Sequence, residues 1–352
     1  MNGDNHELPL ISVIFPAYNV EKFVEKAVAS VMKQDYPHFE IVFIDDRSTD
    51  NTASVAQRTL DSCTRPVRLI RRTENRGVSA ARNLGLALSR GEFVCFIDAD
   101  DFIEPNYLTL LYNAISAEKS DLALCGFNHY FVDSGKTVPE RFKLKKSLAQ
   151  PEDYLFAWHN LFAWHMRKIS TSVWGFLYRR EFLLSKGIRF NERCNRGEDG
   201  EFIQKILVRS SKTVFVRERP YNYVHHDQQI TAIGREDERA PGLKKEMTLA
   251  SLRAARYVLR YSRSKKVRYA VRYIQEPEIL IGRFTFYARR RDWENYRSRL
   301  RFLRHRMVRK ILLSSFWALP YSPELFFKCV VLLSAPRLFY KLRARQLRSP
   351  RP

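Results

Sequence analysis

The sequence predicts an α/β protein with a mostly parallel, Rossmann-like sheet flanked by helices, followed by a basic helical C-terminal region. Three observations lead there. Short Val- and Ile-rich runs alternate with segments of helical period from Leu10 to Ile97, with connections that suit strand–helix–strand units. These runs end in polar clusters, at the place where open α/β sheets bind their ligands. Charge is also unevenly divided: of a net +23 over 352 residues, +22 falls from Pro241 onward, where 28 Lys and Arg face 6 Asp and Glu. The expected organisation is a near-neutral body over residues 1–240 and a basic appendage over 241–352. With 45% hydrophobic residues, disorder and collagen-like fibres are excluded. Five cysteines without a C-x-x-C pair argue against a disulfide framework or zinc knuckle, and for a reducing compartment.

Leu10 to Phe15 reads as a buried strand stopped by Pro16. Beyond Tyr18 and Asn19 the period changes: Phe23, Ala27 and Val31, with Val24 and Val28 beside them, share one face of a helix reaching Gln34. Phe39 to Ile44 is a second strand, followed by Asp45, Asp46, Arg47, Ser48, Thr49 and Asp50. Asp50 can cap the next helix, which carries Ala53, Val55 and Ala56. Val67 to Ile70 then reads as a third strand, Val78 to Ser89 as a helix and Glu92 to Ile97 as a fourth strand. There is no internal repeat at solenoid periods and no low-complexity segment.

Pro16 to Asn19, Asp45 to Asp50 and Asp98 to Asp101 therefore lie at three strand ends. In the last cluster, Asp98, Ala99, Asp100 and Asp101 put at least two carboxylates into the expected crevice. Hard oxygen ligands there suit Mg²⁺ or Mn²⁺, which complete their shells with phosphate and water. The plainer reading is solvated acids ahead of a helix starting near Pro105. Asp45 and Asp46 either open a turn into a capped helix or accept hydrogen bonds from a base or a ribose hydroxyl. At the start of the helix in NRGVSAARNLG, Gly77 permits close backbone approach, and the helix N-terminus with Arg82 favours an anion. A lone glycine in that position is otherwise a turn residue.

The strings ISVIFPAYN, FEIVFIDDRSTDNT, NRGVSAARNLGL and GEFVCFIDADD, between residues 10 and 115, resemble in order and spacing the family 2 glycosyltransferases of GT-A fold. VWGFLYRREFL, GEDGEF and YNYVHHDQQIT extend the resemblance more loosely. It implies inverting transfer of a sugar from a nucleotide donor, most often a UDP-sugar, to a hydroxyl of a glycan or lipid-linked glycan. The setting it implies is bacterial cell-surface polysaccharide or lipopolysaccharide synthesis. Residues 10–115 would bind the nucleotide-sugar and 116–240 would form the acceptor side.

The resemblance also carries roles. Pro16, Ala17, Tyr18 and Asn19, with Asp46 and Asp45 close behind, would hold uracil and ribose, and Gly77 and Arg82 would lie on the donor. Asp98, Ala99 and Asp100 form the D-x-D element, extended by Asp101, and would grip the ribose and a divalent Mg²⁺ or Mn²⁺ ion. Inversion needs a base opposite the leaving group, and the GEDGEF segment points to Asp199, with Glu198 as a neighbour that binds the acceptor or orients the site. Alternatively, acids at a helix start simply complement its dipole. Trp174 could stack on an acceptor sugar with Gly175 leaving room, or be a core tryptophan. His226 would be a late metal ligand or diphosphate contact, with His225 and Asp227 leaving the register open. One departure is visible: Arg47 follows the Asp pair where Gly or Asn is common.

In the basic third, Leu249, Leu252, Ala255 and Leu259 recur at helical spacing, as do Leu300, Leu303, Met307 and Ile311. The latter helix carries Arg297, Arg299, Arg301, Arg304, Arg306, Arg309 and Lys310 on its other faces, with Trp317, Tyr321, Phe326 and Phe327 beyond. This pattern suits the interface of an anionic membrane through residues 297–352, at about 1 kcal/mol per basic residue. No apolar run is long enough to span, since Pro320, Pro323, Glu324, Lys328, Pro336 and Arg337 interrupt Ile311 to Tyr340. With no signal peptide visible, the expected location is cytoplasmic and peripheral on the inner face of the cell membrane. Such charge would also suit nucleic acid, but no RNP motif, zinc finger or basic zipper accompanies it, so no nucleic-acid partner is expected. A nucleotidyltransferase is the closer rival, yet it would show a Gly-rich phosphate loop where Pro16 to Asn19 stand. An inactive domain of the same fold is the third reading.

Overall fold

Consecutive apolar residues form the parallel half of the sheet: β1 (Ile11–Ala17), β2 (Phe39–Asp45), β3 (Val67–Arg71) and β4 (Phe93–Phe96). The computed structural model describes residues 8–140, 172–194, 196–227, 229, 241–289, 293–318 and 323–345. The chain divides into two compact units, Met1–Pro151 with Thr171–Pro241, and Glu152–Ser170 with Gly242–Pro352.

In the first unit β1 pairs in parallel with β2 and β4, and β2 with β3, in a register that sets Ala17 beside Asp45 and Ile14 beside Phe96. Five further strands complete the sheet: β5 (Phe102–Ile103), β6 (Leu122–Phe131), β7 (Lys136–Pro139), β8 (Phe176–Arg179) and β9 (Thr213–His225). The order is β3-β2-β1-β4-β8-β6-β9-β5, with β7 on β6. β6 and β9 are parallel, whereas β8 runs antiparallel to both β4 and β6. The sheet is thus parallel in its first half and mixed beyond β4.

Among the described residues this unit has the helices α1 (Val24–Met32), α2 (Thr52–Leu60), α3 (Val78–Leu88), α4 (Tyr107–Ala117), α5 (Arg180–Ser185) and α6 (Glu198–Arg209). Val24, Ala27, Val28 and Val31 of α1 and Leu108, Leu111 and Ile115 of α4 share a core with Ile11, Val13, Phe15, Phe39, Ile41 and Phe43. Strand alternation sends the intervening residues to the other face, where Gly85 of α3 lies against Ile14 and Phe202 of α6 meets Phe96 edge-on at 6.2 Å. Each fully buried Val, Ile or Phe contributes about 1.5–3 kcal/mol.

Two boundaries differ from expectation. Pro16 does not stop β1, which continues to Ala17. The Ile14 carbonyl accepts from Ile97 beyond the end of β4, whereas the Ala17 carbonyl accepts from Asp46 beyond the end of β2. Position 16 therefore faces the β4 side, where proline has no N–H to donate and the β1–β4 ladder stops at the bond from Ile97 to Ile14. Gln34 lies beyond α1, where its Nε2 donates to the Glu104 carbonyl at 2.7 Å.

The second unit is helical: α7 (Pro241–Tyr261), α8 (Lys265–Ala270), a π turn at Val271–Gln275, α9 (Glu276–Arg289), α10 (Trp293–Leu303), α11 (Arg306–Leu313), a 3₁₀ turn at Ser314–Ala318, α12 (Pro323–Ser334) and α13 (Pro336–Arg345). It has its own core of Ile274, Ile281, Phe284, Tyr296, Leu303, Leu312, Leu325 and Leu332 among others. The Tyr296 hydroxyl donates to the Pro336 carbonyl at 2.6 Å. The stripe expected over Leu300 to Ile311 is split between two helices at Arg304 and His305. On α7 the buried positions are Ala250, Ala254, Ala255 and Val258, while Leu249 is exposed, so small side chains line the inward face. Residues 319–322 and 346–352, including Pro320 and Tyr321, lie outside the described residues. Among the described residues, no helix is long and apolar enough to cross a membrane.

A Cβ at Gly85 would collide with Ile14 Cγ2. Gly85→Ala should therefore destabilise the first unit by about 1–3 kcal/mol, measured by urea unfolding. Adding Ile14→Ala, which removes the colliding methyl, should make the double variant less unstable than the two single losses summed.

Candidate active site

The loops after β1 and β2 are bonded into one wall. The Asn19 N–H donates to Ser48 Oγ at 3.0 Å, Asn19 Oδ1 accepts from the Thr49 N–H at 2.8 Å, and Asp50 Oδ2 accepts from the Glu21 N–H at 3.2 Å. Asn19 and Arg47 both sit at left-handed φ, 52° and 64°. Such a conformation favours Gly or Asn, and Arg47 adopts it at a cost of about 1–3 kcal/mol. Tyr18 is 45% exposed, leaving its ring open to a ligand.

Behind this wall the two acids divide the work. Asp46 is buried, accepting from Arg72 Nη1 at 2.6 Å and from the Gly77 N–H at 2.7 Å. Gly77, at φ 82°, precedes α3, so Asp46 anchors the backbone at that helix start. Asp45 is fully buried and accepts from the Ser48 N–H at 3.2 Å through Oδ1. Its Oδ2 has no hydrogen-bond partner among the described residues, although Arg71 Nε lies 3.5 Å away. The open acceptor of the pair therefore belongs to Asp45, where the resemblance had put Asp46 first.

Beyond β4, Asp98, Asp100 and Asp101 each bring one oxygen within 4.8 Å of the others. Asp101 is 1% exposed and both its oxygens are engaged, by the Tyr221 hydroxyl at 2.6 Å and the Val224 N–H at 2.7 Å. Asp101 thus stays within the acidic triad and is at the same time a strut from the end of β4 to β9. His226 Nε2 lies 3.1 Å from Asp100 Oδ2, and its ring stacks on Phe23 at 3.9 Å. Its buried Nδ1 has no partner among the described residues. The neighbouring His225 instead faces His129, which in turn bonds Glu140, so of the two histidines it is His226 that lies against the D-x-D element. Adjacent octahedral ligands at about 2.1 Å from an ion lie about 3 Å apart, so Asp100 and His226 have a spacing that fits Mg²⁺ or Mn²⁺.

Arg82 joins this cluster to α6. Its guanidinium, 3% exposed, donates through Nη2 to Asp98 Oδ1 at 2.9 Å and through Nη1 to Asp199 Oδ1 at 2.7 Å. Glu198 Oε1 lies 3.9 Å from Nη1. Gly197, at φ 81°, starts α6 so that Glu198, Asp199 and Glu201 fall in its first turn, where the helix dipole favours negative charge. Burial pushes Asp199 up to about 7, with Arg82 opposing and Glu198 and Asp98 adding to the rise. Burial likewise raises Asp98, again against Arg82. Arg82 also lies over the Phe190 ring at 5.3 Å, and Phe190 stacks on Phe202 of α6 at 3.8 Å.

Trp174 is 5% exposed and stacks on Tyr221 at 4.5 Å and Tyr223 at 5.3 Å, with Phe127 edge-on at 4.7 Å. The expected acceptor platform is therefore a core pillar, its rings covered by aromatic neighbours. Gly175 adopts φ 77°, a turn requirement beside Cys125. Sequence pattern marks Phe23 only as part of a helix face and Tyr221 only as part of the YNYVHH string, and nothing local marks Arg72 or Phe190.

A family model described as Glycosyl transferase family 2 matches residues 12–183. The uncharacterized glycosyltransferase EpsJ of Bacillus subtilis (strain 168) is 28% identical over 230 residues, covering 64% of each chain. The poly(ribitol-phosphate) beta-N-acetylglucosaminyltransferase TarS of Staphylococcus aureus (strain Mu50 / ATCC 700699) is 30% identical over 214 residues, 60% of this chain and 35% of TarS. The chain thus matches less than two thirds of either relative's length. In three dimensions, the crystal structure of S. aureus TarS 1–349 in complex with UDP-GlcNAc superposes with a TM-score of 0.70 at 18% identity, over 96% of this chain and 91% of that one. The mannosyltransferase PcManGT of Pyrobaculum calidifontis, in complex with GDP-Man and Mn²⁺, gives a TM-score of 0.53 at 16% identity, covering 98% and 89%. Strand-end motifs, sheet order and these matches agree: the chain belongs to glycosyl transferase family 2 and has the GT-A fold.

Proposed function

We propose that this protein is an inverting glycosyltransferase that moves a sugar from a UDP-sugar to a hydroxyl of a glycan or lipid-linked glycan in bacterial cell-surface polysaccharide synthesis. The observation that carries this reading is the gathering of Asp98, Glu198 and Asp199 around one buried guanidinium, with Asp100 and His226 adjoining. TarS, a poly(ribitol-phosphate) beta-N-acetylglucosaminyltransferase crystallised in complex with UDP-GlcNAc, supports the substrate class.

Tyr18 would stack on the base, and the open oxygen of Asp45 would accept from base or ribose. Asp98, Asp100 and Asp101, with His226 beside Asp100, would hold a divalent cation, which when bound neutralises charge on the departing diphosphate. The acceptor oxygen attacks the anomeric carbon, the carbon–oxygen bond to the diphosphate breaks, and the nucleoside diphosphate leaves. The hydroxyl proton passes to Asp199, whose pKa of about 7 suits a base working near neutrality. Glu198 would orient the acceptor. Because the base acts when ionised, kcat/KM should fall about tenfold per unit below about pH 7. Asp199→Asn should lower turnover by about 10²–10⁴-fold; a variant that still turns over like wild type would remove Asp199 from this role.

UDP-, GDP- and dTDP-sugars incubated with the protein and Mn²⁺ should show hydrolysis of a UDP-sugar that EDTA abolishes and Mg²⁺ or Mn²⁺ restores. Turnover of a GDP-sugar alone would overturn the uridine assignment.

We also place the second unit at the cytoplasmic face of the membrane, as a peripheral contact. Leu313, Phe316, Trp317 and Phe327 are 53–61% exposed, with the exposed Arg306, Arg309 and Lys310 on α11 and exposed Arg337 and Lys341 on α13. Such surfaces suit anionic headgroups above an apolar boundary. The full chain should float with vesicles containing phosphatidylserine and not with pure phosphatidylcholine. Trp317→Glu with Phe327→Glu should abolish flotation without disturbing the core; undiminished flotation would refute the assignment.

A further inference from the structure

The resemblance places Arg82 on the donor, but its guanidinium is spoken for. At 3% exposure it gives Nη2 to Asp98 and Nη1 to Asp199, has Glu198 at 3.9 Å, and lies over Phe190. Its Nε, also buried, makes no hydrogen bond among the described residues. Asp98 follows β4, Asp199 stands in the first turn of α6 and Arg82 projects from α3, so one planar fork spans three separate elements.

We infer that Arg82 is a positioning residue, not a donor ligand: it couples the carboxylate that would hold the cation to the carboxylate that would act as base. This rests on the proposed role of Asp199. A guanidinium holds its N–H groups in a fixed plane, so a shift of Asp98 toward a bound cation reorients the fork and with it the Asp199 carboxylate. The same positive charge competes with the cation for Asp98. Loading of the D-x-D element and aiming of the base are thereby linked through one side chain.

The coupling makes paired predictions that a merely structural residue would not. Removing the charge with Arg82→Gln should tighten Mn²⁺ binding, titrated calorimetrically on the full chain without nucleotide, by about 3–10-fold, while kcat falls at least as steeply. Arg82→Lys keeps the charge but loses the planar fork. It should bind Mn²⁺ as wild type does and lose kcat, with the KM for the UDP-sugar unchanged. Thermal melts of both variants establish that they fold; if Arg82→Gln does not, the lysine variant decides. Wild-type kcat in Arg82→Lys, or weaker Mn²⁺ binding in folded Arg82→Gln, would overturn the inference. So would a raised donor KM at unchanged kcat, which would make Arg82 a donor ligand after all. If the wild-type protein turns over no sugar nucleotide, the base assignment fails, and the Mn²⁺ titration alone then judges the coupling.

Discussion

A guanidinium withdrawn from water survives only where carboxylates replace its solvent shell, and that requirement organises the first unit. Arg82 needs the end of β4 and the start of α6 at once. Removing one partner of such a buried pair typically costs about 3–5 kcal/mol, so strand and helix are held in place by charge as well as by apolar packing. The stacked Phe190 and Phe202 rings below the guanidinium set its depth. On the opposite side of the same strand end, Asp101 reaches Tyr221 and Val224 of β9. The acidic cluster is thus braced from both directions.

The parallel half of the sheet was legible because strands buried on both faces leave little but Val, Ile and Phe, and because polar residues can begin only where the strands stop. Asp45 and Asp98 stood out for the same reason, whereas Asp199, at a helix start, was marked only by the GEDGEF resemblance. Their partners did not: Arg72 lies 26 residues from Asp46, and Tyr221 is 120 from Asp101. Composition and period carry no record of such pairings. Trp174 illustrates the limit, since an indole beside a glycine reads alike whether its faces meet a sugar or meet Tyr221 and Tyr223. Which of His225 and His226 lies beside Asp100 follows from alternation along β9. Tyr223 and His225 share one face, while His226, just past the strand, turns toward Asp100.

In the second unit, leucine spacing located helices, with Leu303 and Ala255 buried and Leu249 exposed. Small residues do the inward packing on α7, and several large apolar side chains near α11 and α12 are left outside. A helical unit with its own core has no stability reason to expose Phe316, Trp317 and Phe327 together. Their company with Arg306, Arg309 and Lys310 gives that exposure a chemical sense.

Asp46 has a further consequence. Its carboxylate binds the Gly77 N–H and Arg72, and the two neighbouring loops are bonded to each other through Asn19, Ser48 and Thr49. These segments are ordered by protein alone, so their loss of conformational freedom belongs to folding and not to ligand capture. A small molecule entering there meets walls already standing, and the heat it releases reports contact and desolvation more than loop ordering.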